Sequence, residues 1–390
     1  MPKLYYGWIV LIGTFAANLS FGVFFSFGVF YTPLIQEFGW TKAQTASIIS
    51  VAALFQTAGG VAMGALADRR GGRTAFLVAA PLMGFGLALS VFSNLLWQWY
   101  VFYGAMAGSA WGAAATVPVV MAVKWFTRRR ALAAGITVMG AGVATTIFPT
   151  FSAYLIGIQG WRTALLLNAV TFSSLLLLAA VLVRERPPRA PPSIGMQGNG
   201  YVLREGSKAR SLWLLFSLFF LPSAGLLTVY TYLPAVSLSR SVDPLLAAGA
   251  ISALGASSIL GRIGSFLLVR LWGSIRTLTV VFVMMTASTL LLLGVFTVPT
   301  LYAFAVLYGV AYGVWIADMP VATREVFTGP RYGSVWGIIN AGGGLGSLAG
   351  PLAVGLLLDP LGLERTVLLS VIAVTGAGSL LSLFVKRPAG

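Results

Sequence analysis

The chain has 390 residues, 58% of them hydrophobic and only 9% charged; soluble domains carry about 25% charged residues, so most of this surface is suited to lipid. It contains no Cys and no His, which excludes disulfides, thiolate metal sites, cysteine catalysis, a Ser-His-Asp hydrolase and a zinc enzyme. The net charge of +16 would suggest nucleic acid in a soluble protein, but here the basic residues fall in short loops between apolar runs, where the positive-inside rule accounts for them.

Lys3 precedes an apolar run too long for a signal peptide and without a small-residue cleavage pattern, so the first segment reads as a transmembrane helix. A span needs about 20 predominantly apolar residues. Twelve such runs can be drawn: 7–35, 43–67, 74–93, 97–123, 131–157, 162–183, 211–237, 244–270, 277–297, 300–323, 332–357 and 365–385. Between the sixth and seventh lies RERPPRAPPSIGMQGNGYVLREGSKAR, whose Pro, Gly, Ser and Arg content predicts a flexible linker. The predicted fold is all-α: two pseudo-symmetric six-helix bundles, residues 1–183 and 211–390, joined by a cytoplasmic linker at 184–210.

With both termini cytoplasmic, twenty basic residues fall on the inner side. They are Lys3, Arg69, Arg70, Arg73, Lys124, Arg128, Arg129, Arg130, six in the linker, Arg270, Arg276, Arg324, Arg331, Lys386 and Arg387. Only Lys42, Arg162, Arg240 and Arg365 fall outside. That imbalance predicts an inner or plasma membrane protein in this orientation. The halves echo each other: Gly135/Gly337, Gly142/Gly344, Pro149/Pro351 and Pro118/Pro320 all share an interval of 202 residues. Equal spacing predicts a six-helix repeat, with a ligand site expected near midplane between the halves. The glycine runs GAGVAT (140–145) and AGGGLGSLAG (341–350) resemble nucleotide loops only superficially; small residues at this spacing predict close helix packing.

Two ionisable residues lie within spans. Arg262, in GASSILGRIGSF, has no other charge around it until Arg270. A guanidinium stays charged at any accessible pH, and near the bilayer centre it costs roughly 2.5–3.5 kcal/mol even on the lenient insertion scale. Such a cation is suited to hold a substrate carboxylate; the alternative is a structural Arg paired within the bundle. Asp318, in YGVAYGVWIADMPVATREVF, is the only carboxylate clearly inside a span. It is a candidate proton acceptor with Arg262, or else a structural partner of Arg324. Aromatic candidates to line a substrate cavity are Phe27, Tyr31, Trp111, Tyr230, Tyr232, Tyr308, Tyr312 and Trp315, with the last three sharing one helical face. Asn18 and Asn340 read as helix–helix hydrogen-bonding residues.

GALADRRGGR, Gly64 to Arg73, resembles the G-x-L-x-D-R-x-G-R-R loop motif of the major facilitator superfamily. The resemblance implies a gate built from Gly64, Asp68, Arg69, Gly71 and Arg73, in which Gly64 permits close helix approach and Asp68 pairs with basic residues. The corresponding stretch of the second half has Val269 and Arg270 in place of an Asp.

Within that superfamily the chain resembles the monocarboxylate transporter family. The resemblance rests on YYGWIV (Tyr5 to Val10), SFGVFYTPLIQEFGWTKAQTA (Ser26 to Ala46), KWFTRRRALAAGITVMGAG (Lys124 to Gly142) and Arg262 in the place of a functional Arg of the eighth span. It implies a proton-coupled symporter of L-lactate, pyruvate or similar acids working by alternating access, monomeric and without cofactor, metal or nucleic-acid partner. Family members often have an Asp one turn before that Arg, a Lys late in the first span and a His in the seventh; here Ser258, Tyr31 and Tyr232 stand there. An oxalate–formate type anion exchanger is the alternative within the class, although a dicarboxylate suits two buried cations rather than one. A non-transporting membrane sensor is the alternative outside it. No pair of residues suited to enzyme catalysis is available.

Overall fold

The computed structural model describes residues 6–126, 130–185, 206–327 and 332–385. Lys3, Tyr5, Arg128, Arg129, Arg331, Lys386, Arg387 and linker residues 186–205 lie outside them. Among the described residues, eleven helices are long and apolar enough to cross a membrane: Gly7–Phe38, Lys42–Arg70, Gly72–Val91, Leu96–Trp125, Leu132–Leu182, Arg210–Ser239, Pro244–Trp272, Ser274–Gly294, Val298–Val326, Val335–Leu357 and Leu363–Ser382. An all-helical fold follows from the composition, because a chain in lipid must satisfy its backbone hydrogen bonds internally. Large apolar side chains such as Phe266, Val61 and Phe92 stand exposed on the outside, as a lipid solvent requires.

The segment from Arg130 to Leu182 holds the predicted fifth and sixth spans, divided only at Gly160, whose backbone leaves the helical region (φ 79°, ψ 163°). The predicted first span is not one continuous helix but three pieces, Gly7–Leu19, Gly22–Phe25 and Phe27–Phe38. At the breaks the Ser20 and Ser26 hydroxyls bond back to the carbonyls of Ala17 and Gly22, at 2.6 and 2.7 Å. Such back-bonding bends helices. The fourth span contains a π-helical stretch, Tyr100–Ala107. Part of the predicted linker is ordered structure: a helix begins at Gly206, and Glu185 accepts a 2.7 Å hydrogen bond from the Gly72 amide, capping the helix that starts there.

The repeat is written into the backbone. Every described residue with positive φ has a partner 202 positions away in the same conformation: Gly39 with Ser241, Gly71 with Gly273, and Gly160 with Gly362. Ser241 is the one non-glycine among them, at φ 58°, a region that usually selects glycine. Helix packing repeats too. A methyl group on Gly140 would meet the Phe15 carbonyl oxygen at 2.7 Å, and one on Gly342 would meet that of Phe216 at 2.9 Å. Gly346 and Gly350 continue the second seam against Phe220 and Ala224. These glycines pack helices, as their spacing predicts. Gly135 and Gly337, although also 202 apart, face open space.

The chain forms two compact units, Met1–Arg189 with Asp243–Gly255, and Ala190–Val242 with Ala256–Gly390.

Candidate functional site

Two glycines create the site in the second unit. A methyl group on Gly261 would lie 2.1 Å from the Val310 carbonyl oxygen, and one on Gly313 would lie 2.0 Å from that of Ser258. The helices Pro244–Trp272 and Val298–Val326 therefore cross backbone against backbone. One turn earlier, the Ser257 hydroxyl bonds the Ala305 carbonyl across the same crossing, at 3.4 Å. Arg262 and Tyr312 are the residues next to these two glycines, so the crossing itself brings them together. Arg262 Nη2 donates to the Tyr312 hydroxyl at 3.4 Å, at the weak end of the range. The guanidinium carbon lies 5.6 Å from the centre of the Tyr312 ring, within cation–π reach.

The first unit has the same crossing without the charge. Gly59, 202 residues before Gly261, meets Ser109, and Gly112 meets the amide of Gly60. Gly60 occupies the place of Arg262.

Beyond Tyr312, the aromatic face runs toward Asp318. Trp315 lies 6.1 Å from Tyr312, ring to ring, stacks near Phe219 at 5.1 Å, and donates its indole N–H to the Leu218 carbonyl at 3.1 Å. Tyr308 is fully buried beside Phe304, at 5.2 Å. Asp318 is 1% exposed, and neither of its carboxylate oxygens has a hydrogen-bond partner among the described residues; the same is true of the Tyr308 hydroxyl. Buried polar groups are nearly always satisfied, so unpartnered ones call for an explanation in function or bound water. Ser274 donates its hydroxyl proton to Glu325 Oε1 at 3.0 Å.

The other predicted lining residues have contacts within their own units. The Tyr232 hydroxyl is engaged by the Pro351 carbonyl, at 2.8 Å, tying two helices of the second unit. Tyr230 is also buried in that unit. In the first unit, Phe27 packs against Tyr103, Tyr31 donates to the Lys42 carbonyl at 2.9 Å, and Trp111 stacks on Phe24. Trp111 lines a small cavity with Val23 and Tyr103, and its indole nitrogen has no partner among the described residues. Asn18 donates to the Ala114 carbonyl, a helix–helix hydrogen bond as its position suggests.

In the loop motif, Asp68 is exposed and lies 4.0 Å from Lys124. Arg69 and Arg73 are exposed, and Gly71 (φ 89°) turns the chain between two helices. The expectation for Gly64 is corrected: a methyl group there would meet nothing nearer than 3.9 Å. The tight approach lies one turn earlier, at Gly59 and Gly60, because the helices have already diverged at Gly64.

Sequence reasoning missed Gly261, Gly313, Ser274 and Glu325. Glu325 was within reach, since it follows Asp318 by seven residues on one helical face. Ser274 sits on another helix and left no local signal.

The family model described as the Major Facilitator Superfamily matches residues 10–317. The chain is 30% identical to "Monocarboxylate transporter 13" of Bos taurus, over 97% of this chain and 89% of that protein. It is 29% identical to "Monocarboxylate transporter 11" of Mus musculus, over 92% of this chain and 82% of that one. Among solved structures, the nucleoside transporter NupG superposes with a TM-score of 0.79 over 98% of this chain and 100% of its own, at 12% identity. At that identity the likeness concerns the fold alone.

Proposed function

We propose that this chain, which belongs to the Major Facilitator Superfamily and within it to the monocarboxylate transporter family, carries a small monocarboxylate such as L-lactate or pyruvate together with a proton, by alternating access. The observation that carries the reading is Arg262: a permanent cation inside a membrane helix, set beside the Tyr312 hydroxyl by a glycine crossing. A guanidinium presents a planar fork that matches a carboxylate. The ring of Tyr312 and the apolar wall beyond it suit a short hydroxy or keto acid.

Asp318 is the proton acceptor in this reading. A carboxylate buried without a partner is costly as an anion, and a proton removes that cost. Loaded with acid anion and proton, the carrier moves no net charge beyond that of Arg262 and its bound anion, which cancel. The exposed loop motif around Asp68 and Lys124 acts as the gate. The twenty-to-four division of basic residues supports cytoplasmic termini in an inner or plasma membrane.

The test is uptake of labelled L-lactate into proteoliposomes, with and without an inward proton gradient, for the wild type and Arg262→Ala. Gradient-driven uptake that Arg262→Ala abolishes is the expected result. Uptake only against preloaded anion would replace symport with exchange, and unchanged uptake by Arg262→Ala would remove Arg262 from the site.

A further inference from the structure

Near its end the helix Lys42–Arg70 carries Ala62, Ala65, Leu66, Arg69 and Arg70 at the three- and four-residue spacing of a single helical face. These residues line a groove of about 310 Å³, within the range of about 300–1,000 Å³ typical of small-molecule sites. Leu66 is partly exposed and the other four are exposed.

The groove is ordered along the helix axis. Its apolar part lies toward the middle of the span, and its two cations lie in the last turn, at the predicted cytoplasmic end. From Ala62 to Arg70 the rise is about 12 Å. A phospholipid of the inner leaflet has the same order, acyl chain below and phosphate at the interface. The two alanines leave a trough that longer side chains would fill.

Among the described residues nothing neutralises the two arginines: neither side chain makes a hydrogen bond or an ion pair. Of the acids near them, Asp68 is turned to Lys124 at 4.0 Å, and Glu185 is engaged by the Gly72 amide.

The second repeat is an internal control. The positions 202 residues further on are Gly264, Leu267, Leu268, Leu271 and Trp272. Leu267, Leu271 and Trp272 are exposed there too, at 57%, 64% and 43%. The fold turns this face outward in both repeats, so an outward position does not by itself call for arginine. Membrane orientation is served by a cation anywhere in a short loop, whereas these two open onto a trough.

We propose that the groove binds one anionic phospholipid, its phosphate held by Arg69 and Arg70 and an acyl chain laid along Ala62, Ala65 and Leu66. Two guanidiniums suit a phosphodiester, because each planar fork can give parallel hydrogen bonds to phosphate oxygens. The site is independent of which acid the carrier moves.

The test is native mass spectrometry of the full-length protein in detergent, titrated with phosphatidylglycerol or with phosphatidylethanolamine of the same chains. The wild type should hold one phosphatidylglycerol about fivefold or more tightly than phosphatidylethanolamine. Arg69→Gln and Arg70→Gln should each weaken phosphatidylglycerol about fivefold, the increment of one cation at an anionic lipid. Ala65→Trp, which keeps both cations and fills the trough, should weaken it as well. Arg270→Gln, which removes an exposed cation from the second unit, should leave it unchanged. Melting temperatures without lipid identify any variant that fails to fold, and Arg70→Lys, which keeps the charge, should bind more tightly than Arg70→Gln. Equal affinity for the two lipids, or wild-type affinity in Arg69→Gln and Arg70→Gln, would overturn the site. An equal loss in Arg270→Gln would assign the effect to overall charge and overturn it too. Wild-type affinity in Ala65→Trp would remove the acyl chain from the groove, and displacement by glycerol phosphate at matched concentration would replace the lipid with a soluble anion; either overturns the proposal.

Discussion

Arg162 and Glu364 hold the same place in the two repeats, 202 residues apart, and carry opposite charges. Arg162 pairs with Glu37, which also accepts the Trp161 indole N–H at 2.5 Å. Glu364 receives Arg240 through two hydrogen bonds, at 2.5 and 3.0 Å. Each repeat thus ties the end of its first helix to the start of its last with one ion pair, and the polarity is reversed between them. Position is kept while charge is not, so the pairing matters more than which side supplies the cation. The clasp also keeps Arg240 firmly protonated, through its hydrogen bonds and charge interaction with Glu364.

The clasp predicts a reversal experiment. Arg240→Glu and Glu364→Arg made singly should each lower the melting temperature in detergent by about 2 °C, the small effect expected of exposed pairs. The double exchange should recover most of the loss. Additive losses in the double variant would show that the pair does not act as a unit.

The glycine crossing makes a sharper prediction. Gly313→Ala places a methyl group 2.0 Å from the Ser258 oxygen, against backbone that cannot yield as a side chain would. It should destabilise the protein by about 1–3 kcal/mol and reduce uptake by separating Arg262 from Tyr312. Gly264→Ala, on the other helix of the crossing, Pro244–Trp272, but with nothing within 4 Å, is the control and should be neutral in thermal unfolding and transport.

Arg262 and Tyr312 should respond differently to conservative changes. Arg262→Lys keeps the charge but loses the fork, and lactate uptake should fall about tenfold or more. Tyr312→Phe keeps the ring and loses one neutral hydroxyl, so KM should rise about three- to tenfold with little change in maximal rate. A fall in maximal rate alone would place Tyr312 outside substrate binding.

Asp318→Asn tests the coupling through pH. In the wild type, lowering the external pH should accelerate uptake, because the proton is a co-substrate. In Asp318→Asn uptake should become insensitive to external pH and to an imposed gradient. Uptake measured from pH 5.5 to 8, a window of about 2.5 units chosen around neutrality, checks this directly.

The residues differ in how plainly the sequence announces them. Arg262 and Asp318 are legible because ionisable side chains inside apolar runs are rare and expensive. Tyr312 is legible as a helical neighbour of Asp318, but only the crossing at Gly261 and Gly313 places it under the guanidinium. Gly64 shows the opposite case: a motif glycine with room to spare, while Gly59 and Gly60 carry the contact. The breaks at Ser20 and Ser26 were hidden, because a serine back-bonded to its own helix has no signature in hydropathy.

By itself the sequence determined that this chain lives in a membrane, that it is helical, that it repeats after 202 residues, and that one cation and one anion lie embedded in it. Composition, spacing and the cost of burying charge are properties of the chain alone. Tertiary structure decided that Arg262 meets Tyr312, that Ser274 bonds Glu325, and that the clasps Glu37–Arg162 and Arg240–Glu364 pair with opposite polarity. Those depend on how closely two backbones approach, and that distance is set by several helices at once.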